Sequence, residues 1–200
     1  MKDRAKIVSL TIILSLVAFI MTSVVCDAQE WNRKGKGEIF VLGQQMTGDT
    51  VTGLGMEVKV DDTIVGGFGA GFNFHDYLNV NMDIFFGSTD LTARGLGATV
   101  KTDTDLFGMD FNLDYNILKS RFTPMISGGF GFIDFRGHVN RYYVKFAETD
   151  FSYNLGVGFR WDVTDHFLIK GIYRFTWTEL EDSDGSIRLD GVSVSIGYLF

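Results

Sequence analysis

Six charged residues sit inside stretches that are otherwise apolar or built of small residues. They are Asp83, Asp110, Asp114, Arg160, Lys170 and Arg174. A charge taken out of water is very costly unless an opposite charge or hydrogen bonds meet it. Three acids and three bases therefore read first as a paired network filling an interior. The second chemistry open to them is a narrow conductance for small ions. The other reactive residues offer less. His75, His138 and His166 have no cysteine or carboxylate at ligand spacing, so no metal centre is expected. Asp182-Ser183-Asp184-Gly185 has the start of a calcium loop but no closing bidentate Glu, which leaves a solvated acidic loop. Neither a Gly-x-Ser-x-Gly elbow nor a phosphate-binding loop is present. No cofactor is called for, and the chain reads as a non-enzyme.

The elements that carry these residues show a two-residue period. From Gly191 to Phe200, Val192, Val194, Ile196, Tyr198 and Phe200 share one parity. Gly191, Ser193, Ser195 and Gly197 share the other, with Leu199 its bulky exception. Side chains alternate faces along a strand, so this is a ribbon with one greasy side. Its edges need partners, which closing a barrel supplies, here against the first strand near Glu38–Met46. Eight such stretches are predicted, at 36–46, 62–74, 77–88, 104–116, 124–136, 151–163, 167–179 and 187–200. Leu78, Val80, Met82, Ile84 and Phe86 alternate with Asn79, Asn81, Asp83 and Phe85. Phe107, Met109, Phe111, Leu113 and Tyr115 alternate with Gly108, Asp110, Asn112 and Asp114. The later stretches repeat the pattern around Arg160, Lys170 and Arg174. All six charges lie on the non-greasy parity. The first stretch leaves its faces open, because Ile39 and Val41 compete with Phe40 and Leu42. Pro124 is expected to open the fifth strand, and Asp134 and Arg136 to lie above the apolar band. The run Gly66-Gly67-Phe68-Gly69-Ala70-Gly71 falls within a strand, where it allows close packing and curvature.

Lys2, Arg4 and Lys6 precede an uncharged apolar run from Ile7 to Val25, and Cys26-Asp27-Ala28 has the form of a cleavage site. Residues 1–28 are therefore read as a signal peptide and 29–200 as one domain. Cys26 is the only cysteine, which rules out an intrachain disulfide. The net charge of −7 argues against nucleic acid as a partner. With 24 Gly, 19 Phe and a single Pro, the composition is that of a β protein.

Connections alternate between short (around His75-Asp76, Ile117–Thr123 and Thr164–His166) and long (47–61, 89–103, 137–150 and 180–186). That alternation, with alternating stretches of about ten residues, is expected of a transmembrane barrel with short periplasmic turns. A soluble lipocalin-like carrier would put its apolar face inward. Six charges on the other face do not suit such a cavity, and the aromatics gather towards two rims. Phe74, Tyr77, Tyr115 and Phe167 mark one; Phe86, Phe107, Tyr153 and Trp177 mark the other. The expected architecture is an all-β, eight-stranded antiparallel up-and-down barrel with its greasy face outward. At about eight strands the interior is just wide enough for side chains to fill, so a wide pore is not expected and the lumen should hold polar groups.

Thr123-Pro124-Met125 leading into Gly128-Gly129-Phe130-Gly131-Phe132 resembles a strand of the small outer-membrane β-barrels typified by the OmpA barrel and OmpX. So do Phe151 to Trp161 with Thr164-Asp165-His166, and Ile172-Tyr173-Arg174-Phe175. The resemblance covers the chain beyond the leader. It implies a monomer in the outer membrane of a Gram-negative-type envelope, delivered by periplasmic chaperones to the barrel-assembly machinery. It also implies that Tyr198 and Phe200 belong to the assembly signal. Its partners would include outer-membrane lipid and lipopolysaccharide. For the latter, Arg136, Arg141 and Lys145 stand among aromatics in one long loop. The implied role is structural or surface interaction, with a narrow channel as the alternative.

Overall fold

The computed structural model describes residues 31–48, 50–53, 56–95, 98–138, 147–179 and 186–200. The expected leader, with Cys26, lies outside them, as do Arg141, Lys145 and the acidic segment 182–185. The described strands are β1 (Gly37–Thr47), β2 (Thr50–Gly53), β3 (Met56–Val60), β4 (Thr63–Phe72), β5 (Leu78–Gly95), β6 (Ala98–Asn116), β7 (Phe122–His138), β8 (Ala147–Asp162), β9 (Phe167–Glu179) and β10 (Ser186–Leu199). Eight of them close a ring of antiparallel pairs in the order β1-β4-β5-β6-β7-β8-β9-β10, with β10 returning to β1. No strand of this wall is left with an unpaired edge, which lets it stand in lipid.

The seam runs from Glu38 opposite Leu199 to Thr47 opposite Asp190. It is finished by Gly37 and Phe200, which exchange both backbone hydrogen bonds, at 2.9 and 3.0 Å. Gly37 has no side chain, and the Phe200 ring lies over it; any β-carbon there would collide with the ring.

The short strands β2 and β3 were not foreseen. They continue β1 and β4 beyond the ring as one hairpin, with β3 pairing on the outer end of β5 from Val60–Leu91 to Met56–Gly95. The step between barrel and extension is held at Gly48, whose N–H donates to Asp62 Oδ1 at 3.0 Å, and by Thr89, whose hydroxyl donates to the Asp61 carbonyl at 2.8 Å. β5 and β6 run longer than the alternation predicts, because their outer ends pair with each other up to Gly95 and Ala98. Pro124 is the third residue of β7, not its first. Its missing N–H is tolerated because it faces Ile117, beyond the last residue of β6; only its carbonyl is used there, accepting from Ile117 N–H at 2.9 Å.

The greasy parity faces outward. On the strand whose faces were open, Ile39 and Val41 are 52% and 63% exposed, whereas Phe40 and Leu42 are 6% and 7% exposed. Aromatic rings gather near both rims of the band. Tyr77 and Tyr115 lie 6.4 Å apart at the short-turn end, and Tyr153 stacks on Trp177 at 5.4 Å towards the other.

The barrel lumen as candidate functional site

Alternation sends one side chain in two into the barrel, and the residues that point inward divide the lumen into two unlike halves. The half nearer the short turns is a continuous chain of charge and amide contacts. Arg174 on β9 reaches Asp83 on β5 at 3.0 Å and Asp110 on β6 at 3.1 Å. Asn112 donates to Asp83 at 3.1 Å and to Asn81 at 3.3 Å, and Asn81 donates to Asp114 at 2.8 Å. Lys170 lies 3.4 Å from Asp114 and forms a very short contact with Glu38 on β1. Arg160 on β8 reaches Glu38 at 2.9 Å and Asp162 at 2.8 Å. The structure thus brings all six sequence-selected charges into one network. It adds three residues that the sequence reading missed: Glu38, Asp162 and Arg33.

Each omission has a reason. Glu38 lies on the strand whose faces the pattern could not assign. Asp162 is the next inward position after Arg160, at the strand's end. Arg33 lies on no strand, and nothing in the local sequence marks it. It enters from the segment ahead of β1 and is completely buried. Its Nε donates to Asp162 at 2.7 Å, and its guanidinium also meets the carbonyls of Leu118 and Ser120.

That segment closes the short-turn end. Asp76 accepts from the backbone N–H groups of Arg33 and Lys34 at 3.0 and 3.1 Å. Trp31 N–H donates to the Lys119 carbonyl at 3.1 Å. The Trp31 ring lies between Lys36, 4.1 Å from its centroid, and Arg121 at 4.0 Å, a double cation–π contact. Gly35 turns the chain with a φ of 85°, a left-handed conformation that suits glycine. Burial pushes the Asp76 carboxyl upward, but its hydrogen bonds from Lys34, Lys119 and Arg33 outweigh that and hold it below the ordinary range.

The outer half of the lumen departs from expectation. Beside the buried polar side chains of Gln44, Asn154 and Thr176 it holds a packed apolar cluster of Phe40, Leu42, Met46, Val60, Val65, Phe85, Leu106, Ile133 and Leu189, with Phe135 against it. Large rings fit because glycine stands opposite them: Gly69 faces the Phe40 ring and Gly108 the Phe85 ring, and a β-carbon at either would collide. The two halves meet where the Lys170 ammonium lies 4.9 Å from the centre of the Phe40 ring.

Of the residues proposed for the outer surface, Arg136 is exposed and paired with Asp134 at 2.7 Å on the outward face of β7, beyond Phe132. Arg141 and Lys145 lie outside the described residues. His75 and His166 stand in separate turns, stacked on Tyr77 and Tyr198. Among the described residues no group of three metal-ligating side chains converges.

A family model described as the outer membrane protein beta-barrel domain matches residues 13–200. Among solved structures, the outer membrane protein OprG of Pseudomonas aeruginosa is 14% identical, with 86% of this chain and 98% of that one covered and a TM-score of 0.64. Neisserial surface protein A is also 14% identical, with 84% and 100% covered and a TM-score of 0.63. The N-terminal β-barrel domain of Pseudomonas aeruginosa OprF is 12% identical, with 84% and 98% covered and a TM-score of 0.53. At these identities the likeness is one of fold. No curated protein matches the sequence. The chain belongs to the outer membrane protein beta-barrel domain family, and it is a protein of the Gram-negative-type outer membrane.

Proposed function

We propose that this protein is a non-enzymatic barrel that acts through its surface, as a structural element of the outer membrane and a platform for contacts beyond it. One observation carries the reading: side chains fill the lumen at two levels, a paired charge network under Arg33 and a packed apolar cluster above it. A permeant ion would have to displace side chains that are already neutralised, then pass a level crowded by apolar side chains. In planar bilayers the wild-type protein should show no steady conductance, and neither should Arg174→Ala, since the apolar layer is intact in both. Steady unitary currents from the wild type would overturn the reading in favour of the narrow channel.

The same proposal includes a leader removed near Gln29, delivery by periplasmic chaperones and insertion by the barrel-assembly machinery. Tyr198 and Phe200 would be read as the signal. At the outer rim, Arg136, Arg141 and Lys145 would meet lipopolysaccharide phosphates. Arg141→Ala combined with Lys145→Ala should weaken lipopolysaccharide binding; unchanged binding would remove that contact from the proposal.

A further inference from the structure

The buried charges of the lumen do not balance, and the excess falls at one level. Asp114, Glu38 and Asp162 alternate with Lys170, Arg160 and Arg33, three acids against three bases. Among the described residues, Asp83 and Asp110 are ion-paired with Arg174 alone. That group formally carries one negative charge too many, and a net charge in a buried place is costly until a counter-charge meets it. Asp83 and Asp110 are partners across β5 and β6, and in each Oδ1 has no hydrogen-bond partner among the described residues. Their flanks differ. Asp83 stands opposite Gly69, over which the Phe40 ring lies. Asp110 stands opposite Gly131 on β7, where Gly129 and Gly131 leave two successive inward positions without a side chain.

That bare stretch of β7 is bordered by oxygen. A β-carbon at Gly131 would collide with Asp110 Oδ1, and one at Gly129 with Asn112 Oδ1, so both oxygens lean over the glycines. On the other side, Gly131 pairs with Ser152 and Gly129 with Asn154 on β8. Asn112 Oδ1, the Ser152 hydroxyl and the Asn154 amide also have no partner among the described residues, and none of these four residues is more than 5% exposed. The backbones of β6 and β8 are two strand spacings apart here, about 9–10 Å, a span that short side chains reaching over the glycines can bridge through one ion. We infer that this notch binds one small monovalent cation of sodium's kind, ligated by Asp110 Oδ1, Asn112 Oδ1, Ser152 Oγ and Asn154 Oδ1. Oxygen donors of this kind suit a hard cation, and a single positive charge is what the level lacks. The site is separate from the surface role proposed above and does not depend on it.

Urea unfolding of the full mature barrel in zwitterionic detergent tests it, with sodium chloride replaced stepwise by choline chloride at constant total salt. Choline is too large for the notch. The folding equilibrium constant of the wild type should rise about elevenfold at a sodium concentration ten times the dissociation constant. Asp110→Asn removes the excess charge and should abolish the sodium dependence. Asn154→Ala keeps the charge but removes a ligand, and should move the dependence to higher sodium. Heat-modifiable gel migration confirms that each variant is folded. Equal wild-type stability in sodium and choline would overturn the inference, because a proton or water would then be meeting the charge. Wild-type sodium dependence in folded Asp110→Asn would place the ion elsewhere and overturn it too. If Asp110→Asn does not fold, Asn154→Ala decides, and an unshifted sodium dependence there would equally overturn the assignment.

Discussion

Arg174 is held by two carboxylates in a place water reaches poorly, and its removal would strand both. Breaking a buried pair from one side costs about 3–5 kcal/mol, whereas removing every charge of the group can be nearly neutral. Arg174→Ala should therefore lower the unfolding free energy by about 3 kcal/mol, read by urea denaturation of the folded barrel in detergent. Adding Asp83→Asn and Asp110→Asn to Arg174→Met should recover most of that loss. If the triple variant is no more stable than Arg174→Ala, the pairing is not what holds this level of the lumen together. Asp76 gives a second prediction, outside the membrane. Its carboxyl sits below the ordinary value of about 3.9, held there by donors on the segment it clasps. A depressed acid contributes stability that is complete above its unfolded value and lost as pH falls through the folded one. The clasp should thus hold at neutral pH and release only in acid below about pH 4. Amide exchange at Arg33 and Lys34 should accelerate there, and Asp76→Asn should show the fast rate already at pH 7. Exchange in that variant as slow as in the wild type at neutral pH would count against the clasp.

Among the elements, β1 has the most demanding position, because it closes the ring and its first residue lies beneath an aromatic. Gly37→Val would push Phe200 off the wall and weaken the last rung of the seam. Assembled, heat-modifiable protein should fall to a small fraction of wild type, much as on deletion of Phe200, while Gly43→Ala, with open space around it, should assemble normally. Equal yields for Gly37→Val and Gly43→Ala would separate the ring contact from assembly. Within the wall, Gly69→Val would force Phe40 from the outer cluster, an overpacking change of about 1–3 kcal/mol. The same strand shows where sequence reading reached its limit. The seven later barrel strands were legible because each carried charges or glycines on one parity and aromatics on the other. β1 carries bulky apolar residues on both, since it faces lipid outward and the apolar cluster inward. A two-residue period reports a difference between faces and is silent when both are dry. For the same reason the apolar half of the lumen went unseen: Phe85, Leu106 and Leu189 stood on the parity assigned to polar filling. β2 and β3 are only four and five residues long, and the alternation of Met56, Val58 and Val60 with Glu57 and Lys59 falls inside a stretch read as a long connection. Arg33 belongs to no repeating element, and only the closed fold brings it to Asp162.

At the scale of the molecule, a lumen closed as proposed would make its two halves separable barriers. Removing charges below should leave the barrel electrically silent. Removing bulk above, with Phe40→Ala and Phe85→Ala together, should admit water and yield small, cation-leaning currents, since the carboxylates of Asp83 and Asp110 outnumber Arg174 at the level beneath. Planar-bilayer recording distinguishes these cases, and silence in the double variant would place the main barrier at Arg33 and the charge network. The upper barrier has a further consequence for how such a chain can change over generations. Among the described residues, those that form it, from Phe40 to Leu189, all lie on strands. If that layer is the barrier proposed above, sealing is uncoupled from the connections at the outer end. Those connections should then tolerate changes of length and sequence, and foreign segments grafted there should leave the barrel closed.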